Sequence, residues 1–369
     1  MSPCAALNLL RSVCPLRDVT IFALLLTLAG CSVSPSSPGG GSNPVSPIGA
    51  AHTLYALNGG PPYQVSGFAS NTTGATLPTS VLTLPSNFMA QAITTDSAGQ
   101  LYIAGIQDSS PCEILVYAAG STGAAAPLRT ILTGQPVADL VGSMAVDDSG
   151  KIYVTDDLKG AVNVFAADAD GPSAPIRSIQ WDASTFRAGV SLAVDGTGDV
   201  YVLGYIEGTV GGLDNPPEVV VYAPGASGAA TPVRTLVGSN AQFGSNVASI
   251  AVDAAGDLYA VVSNPAKPFL NATEVAEFAP GASGNATPVK TIVGNFGKSG
   301  ASPTHLVIDS SGDVYVVAQF VNFDLPQTPI PSYPPFIAMF STSAAGTVSP
   351  VSQFTSPALD NGVYGFAVH

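Results

Sequence analysis

The sequence predicts an all-β fold, a six-bladed β-propeller of four-stranded antiparallel blades closed by a blade shared between the two termini. Three observations carry that expectation. A phrase Asp-x-x-Gly-x-x-Tyr recurs at Asp96, Asp147, Asp195, Asp253 and Asp309, at intervals of 48 to 58 residues, and such a period marks a solenoid or a propeller. Only 10% of residues are charged, while 39 Gly and 31 Pro interrupt a chain that is 46% hydrophobic, so short apolar runs alternate with turns and long helices are not expected. Finally, each unit holds four strand-length segments in the same order.

The elements follow from the N-terminus. Arg11 and Arg17 flank Val19 to Leu28, an uncharged apolar run of ten residues. That is too short to cross a bilayer core, which takes about 20 residues, and has the length of a signal-peptide core. It ends in Leu28-Ala29-Gly30-Cys31-Ser32, which resembles the lipobox of bacterial lipoproteins. The resemblance implies that residues 1–30 are a removable leader and that Cys31 carries the lipid, whose acyl chains bury about 0.8 kcal/mol per CH₂ in a membrane. Ser32 at the following position, by the same resemblance, implies sorting to an outer membrane. Residues 31–51, rich in Ser, Pro and Gly, then form a tether too polar and turn-rich to pack. The propeller is expected over residues 52–369.

One unit shows how a blade is written. Ser191 to Val194 is a first strand, Asp195-Gly196-Thr197-Gly198 a turn, Asp199 to Leu203 a second strand, Glu218 to Tyr222 a third and Val233 to Val237 a fourth. The fourth strands begin after proline at Pro127, Pro175, Pro232, Pro288 and Pro350. Proline there removes a donor from the outermost strand, where no ladder partner is expected. At the start, Thr53 to Leu57, Gln64 to Phe68 and Ser80 to Leu84 read as second, third and fourth strands with no first strand before them. At the end, Tyr364 to His369 reads as a first strand with nothing after it. Joined, the ends make the sixth blade and leave no open edge, and a monomer is expected.

Val146-Asp147-Asp148-Ser149-Gly150-Lys151-Ile152-Tyr153-Val154, continued by Val162 to Phe165, resembles an NHL repeat. The wider resemblance is to the six-bladed propellers of the NHL, SMP-30/gluconolactonase and streptogramin-lyase groups. It covers about residues 52 to 369 as architecture, while the Asn/Arg-rich segment frequent after the second strand of NHL repeats is replaced by Pro- and Gly-rich insertions. The enzymes among these groups imply a metal-dependent hydrolase or lyase with its site at the channel mouth. They would need a divalent cation held by a Glu/Asn/Asp cluster, or a basic histidine with a metal. Neither set can be matched residue by residue. Loop acids such as Asp156, Asp157, Glu207, Asp214, Glu274 and Asp324 are available to a hard cation, but solvated loop charge is their simpler explanation.

The leading expectation is therefore a binding scaffold with no catalytic residue and no cofactor. Its net charge of −14 opposes nucleic-acid backbones, so the partners expected are a protein, peptide or glycan, together with the membrane reached through the lipid. The repeated aspartates are expected to cap turns, and the tyrosines to pack blade cores. Cys112, the single cysteine left after the leader and Cys31, sits at the entry to an apolar run and reads as a buried, inert thiol. With one face of the ring uniform in its turns, the irregular loops of the other face are the expected binding elements. The residues singled out there are Trp181, Phe186, Arg187 and Tyr333, with Phe243, Phe269, Phe296 and Phe323 as further aromatics. His305, before the strand Leu306 to Ile308, is the histidine expected near the channel mouth, whereas His52 and His369 lie at the closing seam.

Overall fold

The computed structural model describes residues 52–108, 111–135, 141–156, 159–181, 186–206, 217–241, 243, 247–263, 273–294, 302–319 and 334–369. The leader, Cys31 and the tether lie outside them. Six sheets follow one another around a ring, each built from four antiparallel strands running from the central channel to the rim. Blade 1 is Phe88–Thr95, Leu101–Gln107, Cys112–Tyr117 and Arg129–Leu132. Blade 2 is Met144–Val146, Ile152–Asp156, Ala161–Phe165 and Arg177–Gln180. Blade 3 is Phe186–Val194, Val200–Ile206, Pro217–Tyr222 and Arg234–Leu236. Blade 4 is Val247–Val252, Leu258–Ser263, Thr273–Phe278 and Lys290–Gly294. Blade 5 is Ser302–Ile308, Val314–Gln319, Phe336–Phe340 and Ser352–Thr355. Blade 6 takes its inner strand, Val363–Val368, from the C-terminus and Thr53–Asn58, Gln64–Ala69 and Ser80–Thr83 from the N-terminal end of the domain. The shared closing blade is thus present, with Tyr55 paired to Ala367 in the ladder that joins the two ends.

The core is six wedges, one between each pair of neighbouring blades. Each wedge receives a second-strand tyrosine from one blade and a third-strand aromatic from the next: Tyr102 with Phe165, Tyr153 with Tyr222, Tyr201 with Phe278, Tyr259 with Phe340, Tyr315 with Phe68, and Tyr55 with Tyr117. This explains why an aromatic recurs at both positions, since each ring fills the space that blade twist opens between two sheets.

The rim departs from the expectation of an unpartnered outer strand. A glycine of the turn before each fourth strand reaches back and forms a short parallel bridge with the outer strand of the preceding blade. The six pairs are Gly123 to Leu82, Gly171 to Ile131, Gly228 to Ile179, Gly284 to Leu236, Gly346 to Ile292 and Gly74 to Phe354. All six glycines have φ between 60° and 71°, the left-handed region that disfavours a side chain. The edge that proline was expected to blunt is in part covered by the neighbouring blade.

Candidate binding site at the channel and its irregular mouth

On the regular face the motif aspartates and tyrosines are bonded internally. In every motif the aspartate Oδ1 accepts two turn N–H groups, from residues two and four positions on, at 2.8–3.0 Å. Oδ2 accepts the hydroxyl of the tyrosine six positions on, at 2.8–3.5 Å. In three blades an arginine of the outer strand closes the relay: Arg129, Arg177 and Arg234 donate to the hydroxyls of Tyr102, Tyr153 and Tyr201 and lie over those rings. Arg129 and Arg177 also donate to carbonyls of the next blade's turn. Burial first, and the motif carboxylate next, push the Tyr153 and Tyr201 hydroxyls up to about 12, so both stay protonated donors. Asp147 is opposed by its own burial, but the Ser149 hydroxyl, the Lys151 N–H, the Tyr153 hydroxyl and the Lys151 charge outweigh it and lower its pKa. The repeated carboxylates are joints of the scaffold.

The channel is chemically different. Its cavity of about 350 Å³ is lined by the six inner strands, and among the described residues of that lining there is no Asp, Glu, Lys or Arg. Counting back from the motif aspartate, the fourth position forms a ring of Ala92, Ser143, Ser191, Ser249, His305 and Gly365. Three of these serines tie one inner strand to the next. Ser143, Ser191 and Ser249 accept the N–H groups of Leu192, Ile250 and Leu306 at 3.0–3.2 Å. His305 takes the serine's place in blade 5. Its Nδ1 lies 3.0 Å from the Thr304 hydroxyl and its ring bonds to the Tyr364 backbone in blade 6. It has some exposed surface, but that surface faces the channel, so burial dominates and pushes its pKa down to about 4. One position before the motif aspartates, Val146, Val194, Val252 and Ile308 make the regular-face end of the channel mostly aliphatic, with Thr95 as the polar exception.

At the opposite end the inner strands are irregular. The ladder shifts register around Gln91, between Ala188 and Ser191, between Val247 and Ile250, and around Thr304. The residue skipped by the blade 6 ladder is Tyr364. Bulges of this kind re-aim side chains and gather near functional sites. Here they accompany Gln91 and Tyr364 in the lining, two residues that the sequence reading did not single out. Their position five residues before the motif aspartate, or before His369 in its place, is the signal that would have found them.

The residues expected at the site divide as follows. His305 lines the channel. Trp181 follows the outer strand of blade 2, where its N–H bonds to the Gly160 carbonyl, and it is partly buried against the wedge between blades 2 and 3. Phe186 and Arg187 open the inner strand of blade 3 and pair with Ile206 and Tyr205. Tyr333 lies outside the described residues, as do Phe269, Phe296 and Phe323. Phe243 is buried and meets Phe278 edge-on at 5.8 Å, so it caps a wedge. Asp156 is no solvated loop charge: it is fully buried and bonded to Gln135, Lys159 and Asn163. Glu274 is buried in the third strand of blade 4, and Asp157, Glu207, Asp214 and Asp324 lie outside the described residues. Among the described residues no group of three or more His, Cys, Asp or Glu is placed to hold a metal ion, so the converging ligands that the hydrolase or lyase reading asked for are not found there. Cys112 is buried, and that burial pushes its thiol up to about 12.

No family model matches the chain, and no curated protein does. Among solved structures it is similar to a protein of unknown function from Bacteroides caccae, with a TM-score of 0.53 and 11% identity over 86% of this chain and 99% of that one. A protein from Lactobacillus plantarum matches over the same shares with a TM-score of 0.48 and 14% identity. At such identities the first likeness bears on the fold alone.

Proposed function

We propose that this protein is an NHL-like propeller held at the bacterial cell envelope by a lipid on Cys31, and that it binds a protein, peptide or glycan through its irregular face. One observation carries the binding reading. The repeated aspartates, tyrosines and arginines of the regular face are bonded to one another and to the neighbouring blade, while the other end of the channel presents irregular strands with Gln91 and Tyr364 among their lining residues. A scaffold that spends one face on its own cohesion has the other left for recognition. The anchor reading rests on the Leu28-Ala29-Gly30-Cys31 sequence and the turn-rich stretch behind it.

Glycan and peptide arrays probed with the full-length protein test the first part. Ligands are expected that are lost on Arg187→Glu, His305→Ser or Tyr333→Ala and kept by the regular-face variants Asp148→Asn and Asp170→Asn. Loss through the regular-face variants alone, or no ligand in either array, would overturn it. Fractionation with fatty-acid labelling tests the second: Cys31→Ala is expected to be unlabelled and released from the membrane, and a labelled, retained variant would refute the anchor.

A further inference from the structure

We infer that the irregular mouth of the channel is a binding site for a short neutral saccharide, stacked on Tyr364 and hydrogen-bonded by the Gln91 amide and the serine hydroxyls below it. This rests on the irregular-face reading and names its ligand class. The first support is charge. In a chain of net charge −14, the described residues that line the cavity include no Asp, Glu, Lys or Arg. Among the described lining residues an anionic ligand would find no cation in the channel of an acidic protein, and a cationic ligand no carboxylate. His305 adds no charge there near neutral pH, because its burial favours the uncharged ring.

The second support is the kind of hydrogen-bonding group. The Gln91 Oε1 accepts the Val141 N–H at 3.2 Å, and its Nε2 has no partner among the described residues. The hydroxyls of Ser143 and Ser249 each accept one backbone N–H and keep a proton to donate. Amide and hydroxyl groups that both donate and accept are suited to sugar hydroxyls, which do the same. The third support is Tyr364, which is 58% exposed although it belongs to a strand whose neighbours are buried. A Cβ at Gly59 would run into its ring and into the Asn361 carbonyl, so glycine lets the ring lie against the backbone on one side. Such a supported, half-exposed aromatic is a stacking platform. The volume of about 350 Å³ falls at the small end of ligand pockets, about 300–1,000 Å³. At the regular-face end Val146, Val194, Val252 and Ile308 are aliphatic and the Thr95 hydroxyl already donates to the Val368 carbonyl, so the irregular mouth offers a saccharide the richer set of hydrogen-bonding groups.

Calorimetric titration of the full-length protein in detergent with maltotriose, cellotriose, chitotriose and trigalacturonate tests the inference. At least one neutral trisaccharide is expected to bind more tightly than trigalacturonate. Tyr364→Ala should weaken that binding about tenfold, while Tyr364→Phe, which keeps the ring, should stay within about threefold of the wild type. Gly59→Ala, which displaces the ring, should resemble Tyr364→Ala, and unchanged thermal melting of Tyr364→Ala controls for folding. Failure of all neutral sugars, or equal binding by Tyr364→Ala, overturns the inference. An array peptide or protein that binds and survives Tyr364→Ala would overturn it and leave the irregular-face reading standing. Silence of both arrays would sink the two together.

Discussion

Acidifying the protein from pH 7 to pH 4 is expected to remove about 3 kcal/mol of folding stability through His305 alone. An imidazole has an ordinary pKa of 6.5, and burial, opposed by the bond to the Tyr364 backbone, pushes that of His305 down to about 4. Between those two values the unfolded chain takes up a proton that the folded protein refuses. The unfolded state therefore binds more protons, and stability falls as pH falls. The gap from 6.5 to about 4 corresponds to about 3 kcal/mol, of which about 2 kcal/mol is lost by pH 5. Other groups of the chain take up protons over the same range, so the measurement must be a difference. His305→Ser supplies the reference, because it restores the residue found at the same place in three other blades. Urea unfolding of both proteins at pH 7, 6 and 5 should show the wild type losing about 2 kcal/mol more than the variant between pH 7 and 5. Parallel stability curves, or a ring that titrates near 6.5 by NMR in the native protein, would refute the reasoning.

The remaining predictions concern the scaffold. Asp147→Asn should destabilise by about 1–3 kcal/mol at pH 7 in thermal or urea unfolding, since it weakens bonds to the turn and to Tyr153. Because the folded pKa of Asp147 is lowered, its contribution is present above the ordinary value of 3.8 and fades as pH falls below it, which unfolding at pH 5, 4 and 3 would read. Cys112 should resist a thiol reagent in the native state at pH 8 and react on unfolding, given a thiol pushed up to about 12, and rapid native labelling would contradict its burial. Ser249→Ala should cost about 1–3 kcal/mol by leaving the buried Leu306 N–H without its acceptor, and a neutral result would remove the serine ring from the account of blade cohesion.

The blades could be read from the chain because their chemistry is local. An aspartate, its two N–H donors and its tyrosine lie within seven consecutive residues, so the whole joint repeats as a phrase. The parallel bridges at the rim could not be read in the same way. Gly171 meets Ile131 across 40 residues through backbone groups, and a glycine in a turn carries no sign of a distant partner. Asp156 shows the complementary failure. It stands at the end of a strand before a polar segment, which reads as solvated charge, but three residues from separate segments, Gln135, Lys159 and Asn163, converge on it. Two lining residues, Gln91 and Tyr364, were missed for a third reason. Gln91 and Tyr364 share a lining through strand irregularities, and a bulge shifts side chains by a register that period alone does not show.

The seam between blades 5 and 6 is built differently from the arginine joints of blades 1 to 3, and this has a measurable consequence. Where blades 1 to 3 place an arginine on the outer strand, blade 5 has Ser352, and His52 of blade 6 instead stands 3.5 Å from Asp309. The C-terminal strand is clamped at both ends. Thr53 and His369 exchange backbone bonds at 2.7 and 3.0 Å, and the Gln319 amide brackets Val363 through its N–H and its carbonyl. Between the clamps Val363 and Phe366 enter the wedge toward blade 5, and Ala367 that toward blade 1. Deleting residues 363–369 would take this apolar surface from two wedges, with a large buried side chain worth about 1.5–3 kcal/mol. It would also unpair the inner edge of the Thr53–Asn58 strand. Set against a total stability of about 5–15 kcal/mol, the loss should abolish cooperative unfolding, whereas His52→Ala, which removes one 3.5 Å contact and leaves the buried Asp309 its bonds from Ser311, Asp313 and Tyr315, should lower the melting temperature far less. A truncated chain that melts cooperatively near the wild-type temperature would mean that the ring does not depend on the terminal strand for its closure.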